Sequence, residues 1–404
     1  MYLPIFITSC QIILFVLIYN QLFFKNIKKE KVIKIPVSRP LFTGLEARYA
    51  NQAIVNGDLS GTFGEFISRF ENNFSKYCEC NFGISTMNGT TAIHLALATL
   101  GIKAGDEVLV SSLTNMATFF AVVYQGAIPI PIDIELDTWN LNPELLEKKI
   151  TKKTKAILVV HLFGHPVDMD PVLAIARKYK LYVVEDAAQA HGAEYKGKKV
   201  GSLGDVGCFS FYANKVITTG EGGMIVTNSE GLASRARSLK SLGYGRKNKF
   251  MHEVIGFNYR MTNVQAAIGT AQLENIDFIL KRKRDIADFY IDHLSDIQEL
   301  KFPVEKNYAK NVYWMFHIVL GESFAGRRDL VTNLLKEKGI ETRESFIPGN
   351  MQKLFIDAYG FRETDCPVAN NVGLNGFYLP SGPNISKDEL QYVVYSLRDL
   401  LLNI

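Results

Sequence analysis

Val183-Val184-Glu185-Asp186-Ala187-Ala188-Gln189-Ala190-His191-Gly192 reads as an apolar strand that ends on an acid and turns away through small residues. Open α/β sheets bind their ligands outside the carboxyl ends of the strands, so Asp186 falls where a site is expected. Side chains alternate along a strand, which turns Glu185 to the opposite face. A buried acid at Asp186 needs a positive partner. Taken alone, an acid at a strand end is more often a helix cap, so the rest of the chain has to decide.

Outward from this stretch, strand-like runs at Glu107 to Ser111, Ile128 to Ile132, Ala156 to His161 and Leu181 to Glu185 alternate with helical ones. The helical runs are Ala117 to Tyr124, Pro143 to Ile150 and Pro171 to Tyr179. Such alternation predicts an α/β fold, a mostly parallel central sheet with helices on both faces. Upstream, Phe66, Ile67, Phe70 and Phe74 recur at near-helical spacing from Glu65 to Tyr77. Ser210 to Tyr212 and Gly223 to Thr227 read as later strands, followed by helices at Thr262 to Asn275 and Asp277 to Leu294. Beyond about residue 295 the pattern becomes a smaller α+β unit: a strand at Tyr313 to Val319, a helix at Arg328 to Lys338, a short strand at Glu341 to Arg343 and a final helix from Lys387. The expected division is 1–34, an apolar segment and basic linker; 35–294, a large domain; and 295–404, a small C-terminal domain.

The chain has 404 residues and a formal charge of +4, from 45 basic and 41 acidic residues. This dispersed balance argues against nucleic acid as a partner. Cys10, Cys78, Cys80, Cys208 and Cys366 match no zinc spacing, so a reducing compartment and no structural metal are expected. Leu3 to Phe24 is uncharged, mostly apolar and long enough to cross a bilayer, with Lys25, Lys28, Lys29 and Lys31 after it. As an anchor it would hold the following domain at the inner face of a membrane, in the cytoplasm. The alternatives are an apolar helix packed on another subunit and an extension upstream of the working start.

The chemistry gathers in Cys208-Phe209-Ser210-Phe211-Tyr212-Ala213-Asn214-Lys215-Val216-Ile217-Thr218-Thr219-Gly220-Glu221-Gly222-Gly223. A lone lysine is usually solvated. The apolar setting of Lys215 argues otherwise, because desolvation lowers an ammonium toward the reactive amine. A lysine able to form a Schiff base, with a carboxylate for a pyridinium nitrogen, describes a pyridoxal 5'-phosphate site. The turn Asn88-Gly89-Thr90-Thr91-Ala92 opens onto an apolar helix and suits an anion. Thr91, the amides of Thr90, Thr91 and Ala92, and the Ser210 hydroxyl are the phosphate candidates, although this turn also reads as an ordinary capped helix start.

From about Ile35 onward the chain resembles the fold-type I enzymes of the DegT/DnrJ/StrS nucleotide-sugar aminotransferase family. The likeness rests jointly on Asn88 to Ala92, Glu185-Asp186-Ala187-Ala188, Ser210 to Lys215, Gly220-Glu221-Gly222-Gly223 and Gly256-Phe257-Asn258-Tyr259-Arg260-Met261. It implies that Lys215 forms the Schiff base, Asp186 pairs with the ring nitrogen and Gln189 bonds the ring hydroxyl oxygen. Ser210, Thr91 and neighbouring amides would hold the phosphate, with Asn258 reaching in from the other subunit of a homodimer. A dehydratase branch has histidine in place of the lysine, so Lys215 favours transamination. The acceptor would be a 4-keto nucleotide sugar and the donor an amino acid such as glutamate. His161-Leu162-Phe163-Gly164, Asp168-Met169-Asp170-Pro171 and Gly256 to Ile268 narrow the likeness to a branch acting on GDP-4-keto-6-deoxymannose, with UDP- and dTDP-linked sugars as alternatives. A non-catalytic sensor or scaffold keeping the fold is the reading from another class. Arg343 is a candidate for an anionic part of the substrate, since a guanidinium binds phosphate oxygens through paired hydrogen bonds; a surface ion pair is its other reading. Asn115 stands where relatives often carry an aromatic ring stacked on the cofactor. Either another side chain covers that ring, or the Asn115 amide plane does.

Overall fold

The computed structural model describes residues 35–244, 250–252 and 254–404, so the Leu3 to Phe24 run lies outside the described residues. Among the described residues no helix is long and apolar enough to cross a membrane.

Seven strands form the central sheet: β1 (Phe82–Thr86), β2 (Glu107–Ser111), β3 (Ile128–Ile132), β4 (Thr154–Val160), β5 (Tyr182–Asp186), β6 (Val206–Ser210) and β7 (Gly223–Thr227), in the order β1-β7-β6-β5-β4-β2-β3. Neighbours from β3 to β6 pair in parallel, while β7 runs antiparallel to both β6 and β1. The strands from β2 to β6 are almost wholly buried, the pattern of a sheet covered on both faces. The shared direction has one consequence for function. The residues that follow β1 and β2, and those that end β5 and β6, all emerge at the same edge.

The helix Glu65–Tyr77 buries Phe66, Phe70 and Phe74, as the spacing predicts. Phe74 meets Phe209 and Phe211 edge-on, at ring-centroid distances of 4.9 and 5.1 Å. Each such ring contributes about 1.5–3 kcal/mol by leaving water. On the same helix Glu71 accepts from Lys240 Nζ at 2.8 Å and from the Ser85 amide and hydroxyl at 2.8 and 2.7 Å. Burial by itself raises the Glu71 carboxyl, but the Lys240 ammonium and the Ser85 donors outweigh it and hold the group below its ordinary 4.5. A depressed carboxyl stabilises the fold above the unfolded value, and that stability is lost as pH falls through the folded one. Lys240→Met removes the nearer of the two cations beside the buried carboxylate, leaving Arg237 at 3.9 Å, and is expected to cost about 3 kcal/mol in urea unfolding at neutral pH, with a smaller deficit in acid.

A second, antiparallel sheet has the order Leu300–Lys301, Phe316–Leu320, Gly376–Leu379 and Arg343–Glu344. Helices Ile276–Leu294, Arg328–Glu337 and Lys387–Asn403 contribute Tyr290, Leu335 and Leu397 to its core, against Phe316 and Phe377. Residues 35–37, expected at the start of the large unit, bond to this part of the chain. The Ile35 amide donates to Gly339 O at 3.1 Å, and the Val37 amide to Glu341 Oε2 at 3.0 Å.

Three expected elements differ. The strand read at Ser210 to Tyr212 lies earlier in the chain, at Val206–Ser210, and ends where it was expected to begin. The segment read as a helix from Pro143 to Ile150 is two 3-10 turns, Pro143–Leu145 and Glu147–Lys149; so short a run does not repay helix nucleation. The strand read from Tyr313 starts at Phe316, because Tyr313 sits in the left-handed region at φ 48°.

Candidate active site

A cavity of about 700 Å³ opens at the carboxyl edge of the central sheet, lined by Asp186, Gln189, Ser210, Lys215, Gly89 and Thr90 among others. Asp186, Ser210 and Lys215, distant in sequence from the Asn88 turn, thus meet it in one space. Asn115 and Arg343 also line this cavity.

Asp186 ends β5, where burial raises its carboxyl above the ordinary value. Thr118 Oγ1 donates to Asp186 Oδ2 at 2.8 Å and the Ala188 amide to Oδ1 at 3.1 Å, and both oppose that rise. Thr118 has one hydroxyl proton. Having given it to Asp186, it accepts from Thr114 Oγ1, 2.9 Å away. Among the described residues no cation reaches salt-bridge distance of Asp186. Glu185 points away, as alternation requires, and accepts from His161 Nε2 and from the amides of Gly201, Leu203 and Gly204.

Lys215 is half-buried with its Nζ 4.2 Å from the ring centroid of Trp314. Loss of hydration lowers its ammonium to about 8, against the pull of the Asp186 carboxylate. An amine in that range is far easier to deprotonate than an exposed lysine. Gln189 is buried, and its Oε1 accepts from the Phe163 amide at 2.8 Å. Its NH₂ is therefore the end left to donate toward the cavity.

The helix Gly89–Leu100 starts at this edge with a capping box. The Thr91 amide donates to Asn88 Oδ1 at 2.9 Å, the Thr91 hydroxyl to Asn88 O at 2.8 Å, and the Ala92 amide to Asn88 O at 3.1 Å. Thr91 and Ala92 are thus taken up by the helix start, and neither lines the cavity. The amides of Gly89 and Thr90 are the ones left without a partner, as the first amides of a helix are. A Cβ on Gly89 would lie 2.6 Å from Ser210 Cβ, so glycine keeps open a cradle between the helix terminus and the Ser210 hydroxyl. Gly89→Ala is expected to weaken cofactor binding by at least about tenfold while leaving the capping box intact, measured by titrating cofactor into stripped protein.

These features fit pyridoxal phosphate. A buried carboxylate that no described cation reaches faces the cavity, a glycine-held anion cradle lies beside Ser210, and a lysine with a lowered ammonium lines the same space.

Other candidates are placed differently. Asn115 is exposed and caps the helix Met116–Tyr124, its Oδ1 accepting from the Ala117 amide at 3.0 Å. Arg343 donates to Glu341 Oε1 at 2.8 Å, so the ion-pair reading describes its present partner, at the cavity wall. Asn258 is exposed, bridges Ser241 and does not line the cavity of its own chain. Thr118 and Trp314 escaped the sequence reading. Nothing in Ser112 to Thr118 separates Thr118 from Thr114, and Trp314 comes from a segment with no motif of its own.

Residues 43–398 match the model of the DegT/DnrJ/EryC1/StrS aminotransferase family. The chain is 41% identical over 365 residues to the GDP-perosamine synthase of Escherichia coli O157:H7, covering 90% of this chain and 98% of that one. It is 41% identical to the GDP-perosamine synthase of Caulobacter vibrioides over 91% of this chain and 99% of that one. Among solved structures, an aminotransferase from Psychrobacter cryohalolentis superposes with a TM-score of 0.86 at 32% identity, covering 91% of this chain and 100% of the other. DesV of S. venezuelae, solved in complex with a ketimine intermediate, gives 0.82 at 33% identity with the same coverage.

Proposed function

The chain belongs to the DegT/DnrJ/EryC1/StrS aminotransferase family and is a pyridoxal-phosphate-dependent sugar aminotransferase; from that premise we propose that it aminates GDP-4-keto-6-deoxy-D-mannose to GDP-perosamine with glutamate as donor. The observation that supports the site is the meeting of Lys215, Asp186, Gln189 and the Gly89–Ser210 cradle in one cavity. The substrate rests on the two synthases named above, at 41% identity.

Pyridoxal phosphate supplies the carbonyl that takes up the amine and the ring that receives electrons when a proton leaves carbon. The chain's own residues do the rest. The Gly89 and Thr90 amides with Ser210 Oγ would hold the phosphate, where the helix terminus favours negative charge. Asp186, ionised by a cation beside it, would pair with the ring nitrogen, with Thr114 and Thr118 holding the carboxylate still. The Gln189 NH₂ would donate to the ring oxygen. Lys215 would be the amine that links to the cofactor and, when free, the base that holds the proton, its lowered ammonium suiting neutral pH. Asn258, exposed on its own chain, would complete the site of a second copy in a homodimer with shared sites.

The test is turnover of GDP-, UDP- and dTDP-linked 4-keto-6-deoxy sugars with glutamate, followed by the absorbance of the bound cofactor. The band should change with glutamate and return with the GDP sugar. Activity confined to a UDP or dTDP sugar would overturn the substrate and leave the aminotransferase intact.

A further inference from the structure

Trp314 is tied down at every polar atom. Its amide donates to Phe163 O at 2.9 Å, its Nε1 to Asn214 O at 2.7 Å, and its carbonyl accepts from the buried Lys283 Nζ at 2.8 Å. Its ring face lies over Lys215 Nζ, 4.2 Å away. Phe163 in turn donates its amide to Gln189 Oε1, and its ring stacks on His317 at 4.2 Å between centroids. One short path of bonds therefore joins Gln189 to the indole that covers Lys215.

The backbone is strained to make this path. Phe163 and Tyr313 both adopt left-handed conformations, at φ 54° and 48°, and both are buried. Gly164, at φ 104°, approaches the 312–314 backbone so closely that a Cβ there would lie 3.0 Å from the Trp314 amide nitrogen. Two bulky residues in that region persist only where their surroundings over-determine them, and such strain gathers at functional sites.

We propose that Trp314 is a positioning residue for Lys215: its indole face seats the protonated amine, and its tethers keep that seat in register with Gln189. The inference rests on the reading of Lys215 as the amine that binds the cofactor and carries the proton. A lysine freed from the cofactor has four rotatable bonds and a mouth open to water. A fixed aromatic face attracts the cation through the ring quadrupole and limits where it goes, without offering a base that would take its proton. When Lys215 accepts a proton from carbon the ammonium forms against the ring; when it returns the proton it leaves as the neutral amine.

The test compares Trp314→Phe, which keeps an aromatic face, with Trp314→Met, which keeps bulk without one. Trp314→Met should lose about tenfold or more in kcat with both KM values within about threefold of wild type, and Trp314→Phe should recover most of the loss. The pH midpoint of the cofactor's visible band should move in Trp314→Met and stay in Trp314→Phe. A second series keeps the shape fixed. Trp139 and Trp314 are the two tryptophans, so Trp139→Phe protein grown on fluorinated tryptophans weakens the Trp314 face stepwise. kcat and the pH midpoint should follow the degree of fluorination. Equal behaviour of the Phe and Met variants, or no trend across the fluorinated series, overturns the proposal while leaving Lys215 in place. A visible band that survives Lys215→Ala overturns the underlying reading instead.

Discussion

Lys215→Ala abolishes turnover, by at least about 10⁴-fold, because one substitution removes both the covalent partner of the cofactor and the proton carrier. The visible band of the bound cofactor is lost with it. No neighbour substitutes: Lys283, the other buried lysine near Trp314, spends its ammonium on Trp314 O and Ser381 O and does not line the cavity. Added ammonia or a short amine restores part of the proton transfer but none of the linkage. A Lys215→Ala protein that kept both the band and turnover would sink the assignment.

Asp186→Asn lowers turnover by about 10²–10³-fold with the fold intact. The amide oxygen keeps the bond from the Ala188 amide, and its NH₂ takes the place of Oδ2, where the Thr118 hydroxyl turns to accept from it, so the charge is removed at the cost of reversing one hydrogen bond. Without that charge the ring nitrogen loses its proton near neutral pH and the ring withdraws electrons less. The same argument has a signed consequence for stability. Burial raises the Asp186 carboxyl from 3.8, so in cofactor-free protein it destabilises the fold as pH rises through the window above that value. A cation beside it removes the penalty. Cofactor should therefore raise Tm more at pH 7 than at pH 4 in the wild type, and this pH dependence should vanish in Asp186→Asn. An equal pH dependence in both proteins would show that the carboxylate does not meet the cofactor's cation.

Asp186, Ser210 and Lys215 were legible because each sits at a strand end or in an apolar run, and such patterns are local. The mostly parallel sheet followed from the same alternation. The free amides lie one residue earlier than the sequence reading put them, with Thr90 common to both. Thr91 and Ala92 look like ligands in a run of small residues, but a helix start spends its third and fourth amides on its cap and leaves the first two free. Trp314 and Thr118 were hidden for a different reason. Their roles arise from contacts across the chain, with Lys215 and Asp186, and no short-range pattern announces such contacts. The turns at Pro143 to Leu145 were misread because apolar spacing persists in a segment too short to form a helix.

The lead-in to the fold sets a limit on how this enzyme can be shortened. Val37, Ser38 and Pro40 form part of the cavity wall, and the Val37 amide holds Glu341, the partner of Arg343. All three precede residue 43, where the family match begins. A clone trimmed to the matched span would keep Lys215 and Asp186 and still be a poor reagent, with its catalytic groups in place and one side of the vessel missing. Truncation for crystallisation or for fusion partners therefore belongs upstream of Ile35.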